Sequence, residues 1–385
     1  MKSNYKTIEE LVIRIDERNS NKEADVLLGV SIDKCFIPSV ANTIGTDLTK
    51  YKLIRKNDFA VSLMQVSRDS RIPIARQTEY EVAMMSPAYP IFRVKNSNEI
   101  LPEYLEMWFK RNEFDREAAF IAVGGVRGSM PWNEFARMKV YVPKIEQQRK
   151  IVEAYKIVED RIKLKQKIND NLEENALAIY KSFFIDFEPF GFSQPDSWKE
   201  VTINDVSSEV ICGKTPPTSD SGNYGGSIPF ITIPDMHGSV YVTSTERFLS
   251  DKGVAAQTNK TLPENSICVS CIASVGLVCL TAEPSQTNQQ INSIICRRNI
   301  SPFYVYIKMT TLTEYLKQLG AGGSTTLNVN KSLFGQIPIL LPDEFYMNKF
   351  HNKVEPLFSA VRANQYEMQY LESLKSLLLA RISSC

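Results

Sequence analysis

Histidine is nearly missing from this chain. Only His237 and His351 occur in 385 residues, and neither has a neighbouring metal-ligand spacing. A lone His of this kind is a surface or core filler more often than a ligand. No apolar run reaches the ~20 residues of a membrane span. The N-terminus, MKSNYKTIEEL, lacks a signal-peptide pattern, so a cytoplasmic protein is expected. An excess of one charge is also lacking. The 45 Lys and Arg against 44 Asp and Glu leave a net +1, which argues against wholesale coating of nucleic acid. A local basic cleft offset by acid elsewhere stays open. The seven cysteines (35, 212, 268, 271, 279, 296 and 385) are odd in number and irregular in spacing, as expected of reduced thiols. Cys268-Val-Ser-Cys271 is a CxxC without a second pair, in an apolar strand, and reads as packing thiols.

The motifs of catalysis are missing too. No GxxxxGK[ST] phosphate loop occurs, since Gly213-Lys-Thr lacks the upstream glycine. Gly124-Gly-Val-Arg-Gly and Gly320-Ala-Gly-Gly do not follow a strand and open a helix, as a dinucleotide fingerprint requires. There is no nucleophile elbow. The Asn-Pro-Pro-aromatic tetrapeptide of amino-methyltransferases is absent, and Thr215-Pro-Pro-Thr218 lacks its ends. The chain reads as a binder, with no metal and no catalytic residue of its own.

What is present is a long helix. From Pro143 to Phe184 the sequence is rich in Glu, Lys, Gln, Leu and Ala and has no further Pro or Gly. Ile151, Tyr155, Val158, Ile162, Leu172, Ala176, Ile179 and Phe183 recur at steps of four and three, with Lys165 and Asn169 as the polar steps. This is a coiled-coil seam, and at 1.5 Å per residue the helix is roughly 60 Å long. Such a seam needs a partner. An offset of 199 residues finds it in Phe350, Val354, Leu357, Val361, Asn364, Met368, Leu371, Lys375, Leu378 and Ile382. The shared register indicates an internal duplication. The segments ahead of the two helices repeat the same plan. Phe59-Ala-Val-Ser-Leu-Met matches Ile267-Cys-Val-Ser-Cys-Ile, helical Pro102–Phe114 matches Pro302–Leu319, and Phe135 through Pro143 matches Phe334 through Pro342. Asp58 through Val66 reads as a strand, and Thr7 as the cap of a short helix. The expected division is 1–142, a helix over 143–185, a Pro- and Gly-bearing linker over 186–197, a second unit over 198–342 and a helix over 343–385.

This arrangement resembles the DNA-specificity subunit of Type I restriction–modification systems. Local signatures carry the likeness: Gly213-Lys-Thr-Pro-Pro-Thr with Ile228-Pro-Phe-Ile-Thr-Ile, Val269-Ser-Cys-Ile-Ala-Ser-Val-Gly, Thr287-Asn-Gln-Gln-Ile-Asn, Gly322-Gly-Ser-Thr-Thr-Leu-Asn and Ile337-Pro-Ile-Leu-Leu-Pro. The first unit matches through Gly29-Val-Ser-Ile, Lys56-Asn-Asp-Phe and the helix entry Tyr141-Val-Pro-Lys-Ile-Glu-Gln-Gln. The second entry, Pro342-Asp-Glu-Phe-Tyr-Met, departs from the usual pattern.

The resemblance implies an α+β (mixed) fold. Two pseudo-symmetric α/β target-recognition domains would be separated by two long helices forming an intramolecular antiparallel coiled coil. Each domain would read one half of a bipartite site on double-stranded DNA. Two methyltransferase subunits would dock on the helices and move a methyl group from S-adenosylmethionine to adenine N6. Motor-nuclease subunits using ATP and Mg could join. No cofactor would sit on this chain. Candidate DNA contacts in the first unit are Gln65, Ser67, Arg68, Ser70, Arg71 and Arg76, in a basic, polar loop, with Arg127 in the glycine loop. In the second they are Lys214, Thr215, Thr218, Tyr224, Ser274, Asn288, Gln289 and Lys331. A solvated surface loop is the bland reading of the first set, and a turn cap that of Asn288 and Gln289. Competing functions are a specificity module of a related modification system and a helical scaffold that bridges two proteins without DNA.

Overall fold

The structure, a computed structural model, describes residues 4–39, 45–64, 66–124, 128–321 and 327–382. The chain divides into two compact units. One takes Met1–Asp160 and Glu372–Cys385, the other Arg161–Leu371.

The first unit opens with β1 (Tyr5–Thr7), α1 (Ile8–Leu11) and β2 (Val12–Ile15). The Glu10 carboxylate accepts hydrogen bonds from both the backbone N–H and the hydroxyl of Thr7, which pins the start of α1. Next come β3 (Leu27–Val30), β4 (Phe36–Pro38), β5 (Lys52–Arg55), β6 (Phe59–Val61), α2 (Val66–Asp69), β7 (Ile74–Arg76), β8 (Val82–Met85) and β9 (Ile91–Val94). Helices α3 (Pro102–Phe109), α4 (Asn112–Ile121) and α5 (Trp132–Arg137) follow, then β10 (Lys139–Tyr141). One sheet runs β2-β9-β6-β7, a second β4-β3-β8-β5, and β1 pairs with β10. The core packs Phe59, Phe92, Phe109, Phe114 and Phe135 under the first sheet.

Helix α6 (Ile145–Phe184) carries the chain onward. Residues 186–197, expected as a linker, hold a short 3₁₀ turn at Glu188–Phe190, and the Phe190 ring packs on Trp198 and Tyr346 at 4.9 and 4.5 Å. The second unit then repeats the opening with β11 (Lys199–Thr202), α7 (Ile203–Val206) and β12 (Ser207–Cys212). Asp205 grips Thr202 as Glu10 grips Thr7. After these come β13 (Tyr224–Ile231), β14 (Tyr241–Val242), β15 (Arg247–Leu249), α8 (Asp251–Ala255), β16 (Ile267–Ser270), β17 (Val278–Thr281), β18 (Gln286–Thr287) and β19 (Ile291–Cys296). The unit closes with α9 (Pro302–Thr310), α10 (Thr313–Gly320), α11 (Lys331–Gly335), β20 (Pro338–Leu341) and α12 (Glu344–Arg381). Its main sheet runs β12-β19-β16-β17-β14, a smaller one β15-β13-β18, and β11 pairs with β20.

The two long helices pack antiparallel within each unit. In the second unit Phe183 and Phe184 meet Phe350, while Asn169 and Lys165 meet Asn364. In the first, Ile151 and Tyr155 share a cluster with Leu379 and Ile382. None of the expected seam positions is exposed. At the polar step, Asn364 donates to Asn169 and accepts from Lys165, both at 2.8 Å, so the buried amides are satisfied. Such a pair disfavours any slipped register, which would strand it among apolar groups. Pro356 sits inside α12 on an exposed face, where the carbonyl it leaves unpaired can be solvated.

Three sequence expectations need correction. Pro102–Phe114 and Pro302–Leu319 are each two helices. In the first, Arg111 is extended and stacks over the Trp108 ring at 4.1 Å, turning the chain so that Phe114 reaches Phe109 and Phe135. In the second the break falls at Thr311 and Leu312. The strand expected over Asp58–Val66 is β6 alone, because the chain leaves the sheet after Val61 and then forms α2.

Candidate nucleic-acid interface

The main sheet of the second unit gathers the candidates at one end. β12, β19, β16 and β17 are mutually antiparallel, so the end of β12, the start of β19, the end of β16 and the start of β17 all meet there. The loop after β12 is stitched down by backbone bonds from Gly213 to Ile291 and from Lys214 to Thr287. Glycine is needed at 213: a Cβ would lie 2.2 Å from the Asn288 carbonyl oxygen and 2.4 Å from that of Thr287. Behind the loop, Gln257 donates to the Lys214 carbonyl and to Gln286, and Gln286 donates to Thr261. These buried amides hold the loop from below, and sequence reading missed them because an isolated Gln gives no sign of burial.

On the outside, Thr215 donates to the Gln289 side-chain oxygen at 2.7 Å, leaving the exposed amide nitrogen of Gln289 directed by that bond. Lys214 and Thr218 are exposed. The β16–β17 turn lies beside them, because Cys271 donates its backbone N–H to Gln290. That turn carries exposed Ser274 and bonds to residues 327–329, just ahead of exposed Lys331 at the start of α11. Lys214, Thr215, Gln289, Ser274 and Lys331 thus share one face. Two candidates have other duties. Asn288 is buried, with both ends of its amide bonded to Gln290, which makes it a turn cap. Tyr224 donates its hydroxyl to the Pro216 carbonyl and so braces the loop.

The first unit uses the equivalent end of β2, β9, β6 and β7. The β6–β7 connection holds α2, and exposed Arg68, Ser70 and Arg71 lie along it. Ser70 takes a left-handed backbone at φ 51°. Arg71 sits 3.6 Å from Asp33, and Arg68 pairs with Asp69 at 2.8 Å. Both guanidinium groups are more than half exposed, so neither pair ties up much charge. The glycine loop closes on α2, where a Cβ at Gly128 would lie 2.4 Å from the half-buried Ser67 hydroxyl. Gln65 and Arg127 lie outside the described residues. Arg76 does not belong to this set. It stands at the opposite end of β7, 12% exposed, bonded to Glu106, Glu103 and Asn57, and serves as a framework ion pair.

The connection is anchored by a pair the sequence did not reveal. Lys34 and Asp115 meet at 2.7 Å with side chains 7% and 9% exposed, and Asp115 also accepts the Ile72 N–H. Burial pulls the Lys34 pKa down against the pull of Asp115. The same unit exposes the apolar side chains of Met64 after β6, Phe120 near the end of α4 and Val123 in the 3₁₀ turn that follows it.

Comparison with known proteins identifies the family. The family described as "Type I restriction modification DNA specificity domain" matches residues 195–374. The specificity subunit of the Type I restriction enzyme HindI, from Haemophilus influenzae, is 33% identical over 357 residues, covering 74% of this chain and 78% of that one. The chain belongs to the Type I restriction–modification specificity-subunit family. The MjaIX specificity subunit of Methanocaldococcus jannaschii is 24% identical over 300 residues, covering 74% of this chain and 68% of the relative. The crystal structure of a Type I system S subunit from M. genitalium shares the fold, with a TM-score of 0.62, 13% identity and coverage of 98% and 95% of the two chains. The two sheet-rich regions and the two long helices are those of this family's fold. No described helix is long and apolar enough to cross a membrane.

Proposed function

We propose that this chain is the non-catalytic DNA-reading subunit of a cytoplasmic Type I restriction–modification complex, and that each sheet-rich region reads one half of a bipartite site. One observation carries the reading: the same sheet end occurs twice on a shared framework, each time topped by different polar and basic loops. In the first region Arg68 and Arg71 suit phosphates and guanine edges. In the second, the Gln289 amide, aimed by Thr215, suits adenine, and Lys214 and Lys331 suit phosphates. The paired long helices act as the spacer between half-sites, whose separation follows the ~34 Å turn of DNA.

Methylation of adenine N6 belongs to two partner methyltransferase subunits that hold S-adenosylmethionine and flip the base out of the duplex. Cleavage, where it occurs, belongs to a motor-nuclease with ATP and Mg. The test is purified chain with its methyltransferase, titrated with a mixed DNA pool at several salt concentrations. A steep negative salt slope and enrichment of a two-part sequence are expected. Sequence-blind binding, or a methylated-adenine map that keeps every bipartite motif when this chain is deleted, defeats the proposal.

A further inference from the structure

The second unit holds an open cavity of ≈ 350 Å³ among α6, α9 and α12. Asp170, Glu173 and Glu174 form its polar wall, and Leu177, Ile307 and Phe358 its apolar wall. Asp170 accepts from Gln166, but Glu173 and Glu174 have no ion-pair partner among the described residues. Tyr306, only 7% exposed, also lines the cavity, and its hydroxyl has no hydrogen-bond partner among the described residues. Burial, and after it the charge of Glu173, pushes the Tyr306 pKa up. Burial and Asp170 together raise Glu173 to about 7. The wall therefore offers carboxylates and a phenol oxygen, with no cation of its own to meet them.

The duplication shows what fits such a place. An offset of 199 aligns Glu173 with Glu372, Ala176 with Lys375, and Phe358 with Glu159. An offset of 200, which aligns Tyr304 with Tyr104, sets Tyr306 on Glu106 and Thr310 on Lys110. In the first unit the Lys110 ammonium lies 2.7 Å from Glu106, and that of Lys375 lies 3.3 Å from Glu372. Both approach Glu159, at 3.8 and 3.9 Å, over the Tyr155 ring. In the first unit the equivalent place is also an open cavity, of ≈ 540 Å³, but it is lined by two ammonium groups of its own. The second has Ala176 and Thr310 where those lysines stand and Tyr306 and Phe358 for Glu106 and Glu159, yet it keeps Glu372 as Glu173, with Asp170 and Glu174 beside it.

We propose that the cavity beside Glu173 and Tyr306 is the docking pocket for a lysine side chain of a partner protein. This rests on the reading that the chain works in complex with methyltransferase subunits. The lysine stem runs along Leu177, Ile307 and Phe358, while its ammonium donates to Glu173 and the Tyr306 hydroxyl oxygen. Asp170 and Glu174, joined by Glu173 when it ionises, repel phosphate, so this face is turned to protein and not to DNA.

The first arm of the test titrates n-butylammonium into the full-length chain and follows the aromatic NMR signals of Tyr306 and Phe358. Saturable shifts are expected for the native chain and none with n-butanol. Thr310→Lys, which restores one cation of the first unit at an exposed position, should abolish them, and Glu173→Gln should weaken them. The second arm measures affinity for the methyltransferase subunit of the same system, with a tenfold or larger loss expected in both variants and half-site preference unchanged. Absence of a saturable n-butylammonium shift overturns the pocket, as does unchanged methyltransferase affinity in both variants. If n-butylammonium titrates but the native chain binds no methyltransferase, the assembly reading fails while the pocket's cation chemistry stands.

Discussion

The two sheet-rich regions differ most where they are least buried. Their frameworks share hydrogen bonds at matching positions. Ile8 donates to Met138 as Ile203 donates to Ile337. The Tyr104 hydroxyl donates to the Tyr141 carbonyl as that of Tyr304 donates to the Leu340 carbonyl. The order β2-β9-β6-β7 returns as β12-β19-β16-β17, and the parallel pair β3–β8 returns as β13–β18. The connections do not coincide. The one after β6 contains a helical turn braced by a buried ion pair, whereas the one after β16 is a short turn with Ala273 at φ 63° and Gly276 at φ 99°. A packed core tolerates few changes of volume or polarity, while a surface loop tolerates many, so one scaffold can carry two readers.

The sharpest way to break the likeness is Asp115→Ala. It leaves the Lys34 ammonium buried without its carboxylate, and about 3–5 kcal/mol should be lost from the first unit. Hydrogen exchange should show protection falling there and holding in the second unit. Next in size is the contrast between Arg76 and Arg71. Arg76→Ala should lower stability by about 1–3 kcal/mol in urea unfolding and leave the salt slope of DNA binding unchanged. Arg71→Ala should leave stability within about 0.5 kcal/mol and flatten the salt slope by about 1.

A pH-dependent contrast follows. Glu173 ionises near pH 7 in the folded chain against 4.5 as its ordinary value. Over that window the unfolded chain gives up its proton while the folded chain keeps it, so this group costs stability as pH rises. Glu173→Gln should therefore gain about 1 kcal/mol at pH 8, discounted for its partial exposure, and nothing at pH 4. Glu372→Gln at the equivalent place loses an ion pair to Lys375 and should show no such gain. The smallest effect sharpens the likeness. Tyr104→Phe and Tyr304→Phe should each cost about 1 kcal/mol, and by equal amounts, since each removes one hydroxyl-to-carbonyl bond at the same framework position. Thermal unfolding of the two variants checks this.

The long helices, the seam with its polar steps at Lys165, Asn169 and Asn364, the Thr7 cap and the repeat of strand and helix segments were legible in the residues alone. Each follows from periodicity or from partners a few positions apart, which are properties of local chain geometry. The break of each expected helix, at Arg111 and at Leu312, was not legible, because packing across the unit and not propensity chooses it. Charge and residue type nominated Arg76 alongside Arg71, and only the tertiary structure separated them, by burying one against Glu103 and Glu106 and leaving the other more than half exposed near Asp33. Asn288 and Gln289 parted in the same way, one turned inward to Gln290 and the other outward. The sequence by itself nominated side chains whose chemistry suits a nucleic acid. Folding decided which of them are spent within the framework, as Arg76 and Asn288 are, because a charge or amide satisfied by a distant neighbour gains little from a ligand.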